Sequence, residues 1–152
     1  MHRKAIRQPF KRSYPIKNTP LETIPLISLP LKTYSNKVNA VIAYIWRSYW
    51  MLLDLSEAAE MVQISPQHLS SLFKETTGMT FVKYYNSLRV NRAAWLLVYT
   101  NEEIRTISHT CGFESTSYFI RVFRETTGKT PLRYRKEVTK ALNAIKRNQS
   151  TE

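Results

Sequence analysis

A chain of 152 residues, 43% of them hydrophobic, is sized for one domain, or two very small ones, plus a tail, and its composition excludes wholesale disorder. Lysine and arginine outnumber aspartate and glutamate by 23 to 11, a formal charge of +12 with a pI near 10.0. Such an excess favours a polyanionic partner, either nucleic acid or an anionic membrane surface. The longest apolar run, Ala93 to Val98, falls far short of the ~20 residues a membrane span needs. The basic start, Met1-His2-Arg3-Lys4-Ala5-Ile6-Arg7, leads into no apolar signal core. One cysteine, Cys111, allows no internal disulfide and suits a reducing cytoplasm. The three histidines (His2, His68, His109) show no metal-ligand spacing, so no metal or other cofactor is expected.

Residues 1–34 hold five of the seven prolines and seven bases against one acid, Glu22. Proline removes a backbone donor and pushes its predecessor out of helical space. The segment therefore reads as an extended basic arm or linker, with Thr23 to Leu31 able to dock as a strand. The body from residue 35 to 152 keeps a positive balance without it.

Downstream, Asn36 to Tyr49 places Val38, Val41, Ile42, Ile45 and Tyr49 on one side of a helix. Asp54 and Glu57 have capping-box spacing, and Leu55, Ala58, Ala59 and Val62 follow with helical period. After the turn Gln63-Ile64-Ser65, Ser65 is a good N-cap and Pro66 suits the first helical position. That helix buries Leu69, Leu72 and Phe73 and stops near Gly78. Thr80 caps a long helix from Phe81 to about Val98, ~27 Å at 1.5 Å per residue.

The pattern then repeats. Phe73-Lys74-Glu75-Thr76-Thr77-Gly78-Met79-Thr80-Phe81-Val82-Lys83-Tyr84 recurs fifty residues later as Phe123-Arg124-Glu125-Thr126-Thr127-Gly128-Lys129-Thr130-Pro131-Leu132-Arg133-Tyr134, with seven of twelve positions identical. Ile104, Ile107, Ser108 and Cys111 form the preceding helix, whose start near Asn101 to Glu103 is weakly signalled. Cys111 falls where Val62 falls, a small core position rather than a nucleophile. A turn at Gly112-Phe113-Glu114, a Ser115 cap and a helix burying Phe119, Val122 and Phe123 complete the copy. Thr130-Pro131 opens a last helix through about Arg147. The reading is all-α: seven helices in two helix-turn-helix units (about 35–79 and 99–147) joined by a linker helix at about 80–98.

The stretch Gly112-Phe113-Glu114-Ser115-Thr116-Ser117-Tyr118-Phe119-Ile120-Arg121-Val122-Phe123-Arg124, with Thr127-Gly128-Lys129-Thr130-Pro131 and Tyr134-Arg135, resembles the second helix-turn-helix of AraC/XylS regulators. The resemblance covers about Val38 to Val138. It implies two units that set one helix each into adjacent major-groove segments of double-stranded DNA. It carries base-reading roles to Gln67, Ser70 and Ser71 on the first reader and to Thr116, Ser117, Ile120 and Arg121 on the second. Arg121 is the strongest of these, because arginine can bind guanine O6 and N7 with two hydrogen bonds. Lys74, Arg124, Lys129 and Arg135 suit phosphates, plain surface charge being the competing explanation. His68 is either on this face or partly buried.

Two departures stand out. Gln63 occupies the first turn where the family usually has glycine, and Ser71 stands where many relatives carry arginine. If the turn needs positive φ, Gln63 adds roughly 1 kcal/mol of strain, and the second unit dominates reading. The family also implies a cytoplasmic, nucleoid-associated activator that contacts RNA polymerase, monomeric if it stands alone and dimeric if part of a longer regulator. Three rivals stay open: an enzyme acting on nucleic acid, a basic RNA-binding protein, and a regulator working through protein contacts. The first lacks clustered carboxylates, since the one aspartate, Asp54, is explained as a helix cap. The second leaves the duplication unexplained.

Overall fold

The computed structural model describes residues 36–149, so the basic arm and its candidate strand lie outside the described residues. Seven helices follow in chain order: α1 (Asn36–Arg47), α2 (Leu55–Met61), α3 (Pro66–Thr77), α4 (Phe81–Tyr99), α5 (Ile104–Thr110), α6 (Thr116–Thr127) and α7 (Pro131–Gln149). Among the described residues there is no strand, and no helix is long and apolar enough to cross a membrane.

Local devices open and close these helices, and all but the first recur in both copies. Asp54 accepts from the Glu57 N–H while the Glu57 carboxylate accepts from the Asp54 N–H, closing a capping box on α2. Ser65 and Ser115 cap α3 and α6 through the His68 and Tyr118 N–H groups. At the far ends, Gly78 and Gly128 take φ of +74° and +76°, the left-handed stop. The Thr77 hydroxyl bonds the Phe73 carbonyl at 2.7 Å and accepts from the Met79 N–H at 3.1 Å. Thr127 does the same with Phe123 (2.8 Å) and Lys129 (3.3 Å). The Thr-Thr-Gly-x-Thr motif is thus a corner that turns one helix into the next. Glu103, which caps α5, makes no side-chain cap bond, in keeping with the weak signal there.

Two cores result, and α4 serves both. Its first half sends Phe81, Tyr84, Tyr85 and Leu88 into a core with Val38, Val41, Ile45, Ala58, Ala59, Leu69 and Phe73. Its second half sends Val90, Ala93, Ala94, Leu96 and Leu97 into another with Ile107, Cys111, Phe113, Phe119, Val122, Phe123 and Tyr134. In both, a recognition-helix phenylalanine meets a tyrosine of the next helix edge to face: Phe73 with Tyr84 and Phe123 with Tyr134, each at 5.4 Å. A helix buried along its length at both units is a shared rod rather than a tether. Burial pushes the Cys111 thiol up to about 12, as befits a packing residue.

The two turns differ by one residue. Gln63 donates to the Glu60 carbonyl and Ile64 to Ala59; Gly112 and Phe113 donate equivalently to His109 and Ser108. Glu114 is then the extra residue before the Ser115 cap. Gln63 has φ of +54°, the one positive value outside glycine among the described residues, and its side chain is exposed. Gln63→Gly is therefore expected to be neutral or to stabilise by up to about 1 kcal/mol in urea denaturation. A clearly destabilised variant would show that no strain is stored there.

Candidate nucleic-acid interface

Helix α3 buries Leu69 and Phe73, which leaves Gln67, His68, Ser70, Ser71 and Lys74 exposed. His68 belongs to this outer face and not to the core. Gln67, Ser70 and Ser71 come together with Leu55 and Pro66 as the lining of one shallow groove. These side chains offer hydroxyls and an amide but no charge, and Lys74 adds a cation one turn further on.

Helix α6 buries Phe119, Val122 and Phe123 in the same register. Ser117, Arg121 and Arg124 are exposed, and Ile120 is 37% exposed. Thr116 is half-buried, its hydroxyl 3.2 Å from that of Ser108, which is fully buried on α5. Its polar group is engaged inside the unit, so the side chain fits the frame of the turn better than a base edge. The Arg121 guanidinium lies over the Tyr118 ring, 5.2 Å from its centroid.

One candidate phosphate contact is partly engaged within the fold. Arg135, expected on phosphates, is half-buried: its Nε donates to the Leu97 carbonyl at 2.9 Å and its Nη2 to that of Glu102 at 2.6 Å. The guanidinium clasps the loop between α4 and α5, with two of its five N–H donors given to backbone carbonyls. Lys129 is exposed but pairs with Glu137, which also accepts from Arg133 at 2.7 Å. Hydrogen bonds from Lys129 and then Arg133 hold the Glu137 carboxyl below its usual range. The acid offsets part of the positive charge at that corner.

Sequence reasoning missed the arginine that ties the units together. Arg89, 6% exposed on α4, donates from Nε to the Tyr49 carbonyl at 2.7 Å and from Nη2 to the Met51 carbonyl at 2.6 Å. Its guanidinium stacks 4.1 Å from the Tyr85 ring centroid and lies 5.7 Å from that of Phe113, in the second unit's turn. The Tyr85 hydroxyl also donates to the Met51 carbonyl. Position 85 in the first copy and 135 in the second thus tie down the incoming loop of their own unit, with different chemistry. The available signal was a charge at helical spacing between buried Tyr85 and Ala93. Among the described residues, no group of three or more histidine, cysteine or acidic side chains gathers as a metal site.

Two helices with exposed polar faces, held in equivalent corners on one buried rod, define a bipartite helix-turn-helix domain. A family model described as a helix-turn-helix domain matches residues 58–137, more than half of the chain. The chain belongs to this AraC-type helix-turn-helix family of DNA-binding regulators. It is 35% identical over 101 residues to the bifunctional transcriptional activator/DNA repair enzyme AdaA of Bacillus subtilis, covering 66% of this chain and 48% of AdaA. The C-terminal domain of AraT, a response regulator from Geobacillus stearothermophilus, superposes with a TM-score of 0.67 at 29% identity, over 70% of this chain and 88% of that one. A transcriptional regulator with an AraC-type DNA-binding domain from Chromobacterium violaceum gives 0.61 at 32% identity, over 66% and 90%. The chain spans less than half the length of the curated relatives it matches.

Proposed function

We propose that this chain is a sequence-specific transcriptional regulator that grips double-stranded DNA with both units, α3 and α6 lying in adjacent major-groove segments. The observation that carries this reading is the duplicated reader: two helices with exposed polar faces, in the same corner geometry, on a rod of order ~27 Å. Successive major grooves on one side of a duplex lie ~34 Å apart, a distance that the rod with its flanking helices can bridge. Gln67, Ser70 and Ser71 read bases from α3; Ser117, Ile120 and Arg121 read them from α6. Lys74 and Arg124 hold phosphates, and Lys129 does so against the pull of Glu137. The same reading has the chain activating transcription through RNA polymerase in the cytoplasm, as a monomer if it stands alone or a dimer within a longer regulator. No catalytic step is part of this reading, although AdaA is named a repair enzyme as well as an activator.

Fluorescence titrations on a selected duplex, a random duplex and a structured RNA test it. Binding should weaken steeply with salt as counterions are released. Arg121→Ala should cost about 1–3 kcal/mol on the selected site and relax preference at one base pair. Lys74→Ala should weaken selected and random DNA about equally and flatten the salt slope by about one unit. Tighter binding to the RNA than to any duplex, or no salt dependence, would overturn the DNA reading.

A further inference from the structure

Arg121 does not stand free on its helix. Its guanidinium lies over the ring of Tyr118, one turn back, at 5.2 Å from the centroid. That ring is itself half-buried, packs against the second core, and meets Phe113 edge on at 6.1 Å. The Tyr118 hydroxyl accepts from Asn86 Nδ2 at 2.9 Å, and Asn86 belongs to α4. A chain of three side chains thus runs from the shared rod to the tip of the second reader.

The duplication supplies a control. Fifty residues earlier, the position of Arg121 is Ser71 and that of Tyr118 is His68, while the counterpart of Asn86, fifty residues later, is Lys136. The arginine and its aromatic platform are present together in the second unit and absent together in the first. The corner residues Thr77 and Thr127, or Gly78 and Gly128, are by contrast identical. The helix-turn-helix frame therefore does not require Tyr118; something particular to the second reader does.

We propose that Tyr118 is a positioning residue for base recognition. Its ring holds the Arg121 guanidinium by stacking, Asn86 fixes the ring from α4, and specificity at one base pair depends on this platform. Stacking engages the face of the guanidinium and leaves its N–H edge for hydrogen bonds to a base. Holding the side chain in place beforehand lessens the rotamer entropy lost on binding. The inference rests on the base-reading role of Arg121 given above.

The test is a set of selected duplexes varied one base pair at a time, titrated with wild type, Arg121→Ala, Tyr118→Leu, Tyr118→Phe and the double variant Arg121→Ala/Tyr118→Leu. Cooperative melting is checked first. If the leucine variant does not fold, Tyr118→His, carrying the residue the first unit has at this position, replaces it. Tyr118→Leu should weaken the selected site about two- to fivefold, the range of an exposed cation–π contact. The loss should fall at the same base pair that Arg121→Ala relaxes, with random-duplex binding and salt slope unchanged. Tyr118→Phe, which keeps the ring, should retain more of that preference than the leucine variant. The double variant should be no weaker than Arg121→Ala alone. Wild-type preference at that pair in folded Tyr118→Leu, equal loss on selected and random DNA, or additive effects in the double variant would each overturn the proposal. If Arg121→Ala itself leaves every base preference intact, the base-reading assignment falls and the platform falls with it. If Arg121→Ala relaxes one pair and Tyr118→Leu does not, the platform alone falls.

Discussion

Gly112→Ala should be among the most damaging single-methyl changes available in this chain. Two costs combine at that position. Gly112 has φ of +82°, and a Cβ built on it would sit 2.7 Å from the Trp50 carbonyl oxygen and 3.0 Å from the Trp50 Cα. The obstacle is backbone of the first unit, so no side chain can swing aside. Left-handed backbone costs an L-residue about 1–2 kcal/mol, and forcing a methyl into packed backbone adds about 1–3 kcal/mol. A loss of roughly 2–5 kcal/mol is expected, a large share of the 5–15 kcal/mol typical of a folded domain. Gly128→Ala is the control: φ is +76°, but nothing lies within 4 Å of its Cβ. It should lose only about 1–2 kcal/mol. Urea denaturation of the two variants side by side reads the difference, and equal losses would mean that the two units do not abut at Trp50.

Arg89→Ala should also destabilise, by about 2–5 kcal/mol, because one part-buried carbonyl left without a partner costs about 1–3 kcal/mol and the stacked guanidinium is lost as well. The Tyr49 carbonyl is orphaned, while the Met51 carbonyl keeps the Tyr85 hydroxyl. Arg89→Lys should recover little, since one ammonium cannot reproduce a planar fork that spans two carbonyls and lies against a ring. Arg124→Ala, on the exposed face, should stay within about 0.5 kcal/mol of wild type. If Arg89→Ala melts like Arg124→Ala, the loop before α2 is held by something other than this clasp. Duplex affinity of the folded Arg89→Ala fraction should also fall, because the loop joins the first unit to the rod and to the second turn.

The residues that act within a few positions of themselves were legible in the sequence. The Asp54–Glu57 box, the Ser65 and Ser115 caps, the Thr77 and Thr127 corners and the glycine stops all lie within about one helical turn of their partners, so their spacing carries the meaning. Because the serine caps, threonine corners and glycine stops are duplicated, the sequence by itself determined two helix-turn-helix units, the helix between them and the outward faces of α3 and α6. The positive φ at Gln63 was raised in the sequence only as a condition, from the glycine that the resembling family carries at that turn, and the structure supplies it at +54°.

What the tertiary structure alone decided is which polar side chains are spent on holding the body together. Arg124 and Arg135 look alike along the chain, yet Arg124 faces outward while Arg135 closes on Leu97 and Glu102, more than thirty residues away. Arg89 reaches Tyr49 and Met51 at similar separations, and Asn86 meets Tyr118 across the boundary between rod and reader. No periodicity encodes such pairs, because they form only when packing brings a loop carbonyl or a distant hydroxyl within reach of a guanidinium or an amide. The two turns make the same point. Both need positive φ, but Gln63 lies exposed whereas Gly112 is pressed against Trp50. Local geometry favours glycine at both positions, and only the approach of the first unit's backbone makes it necessary at the second.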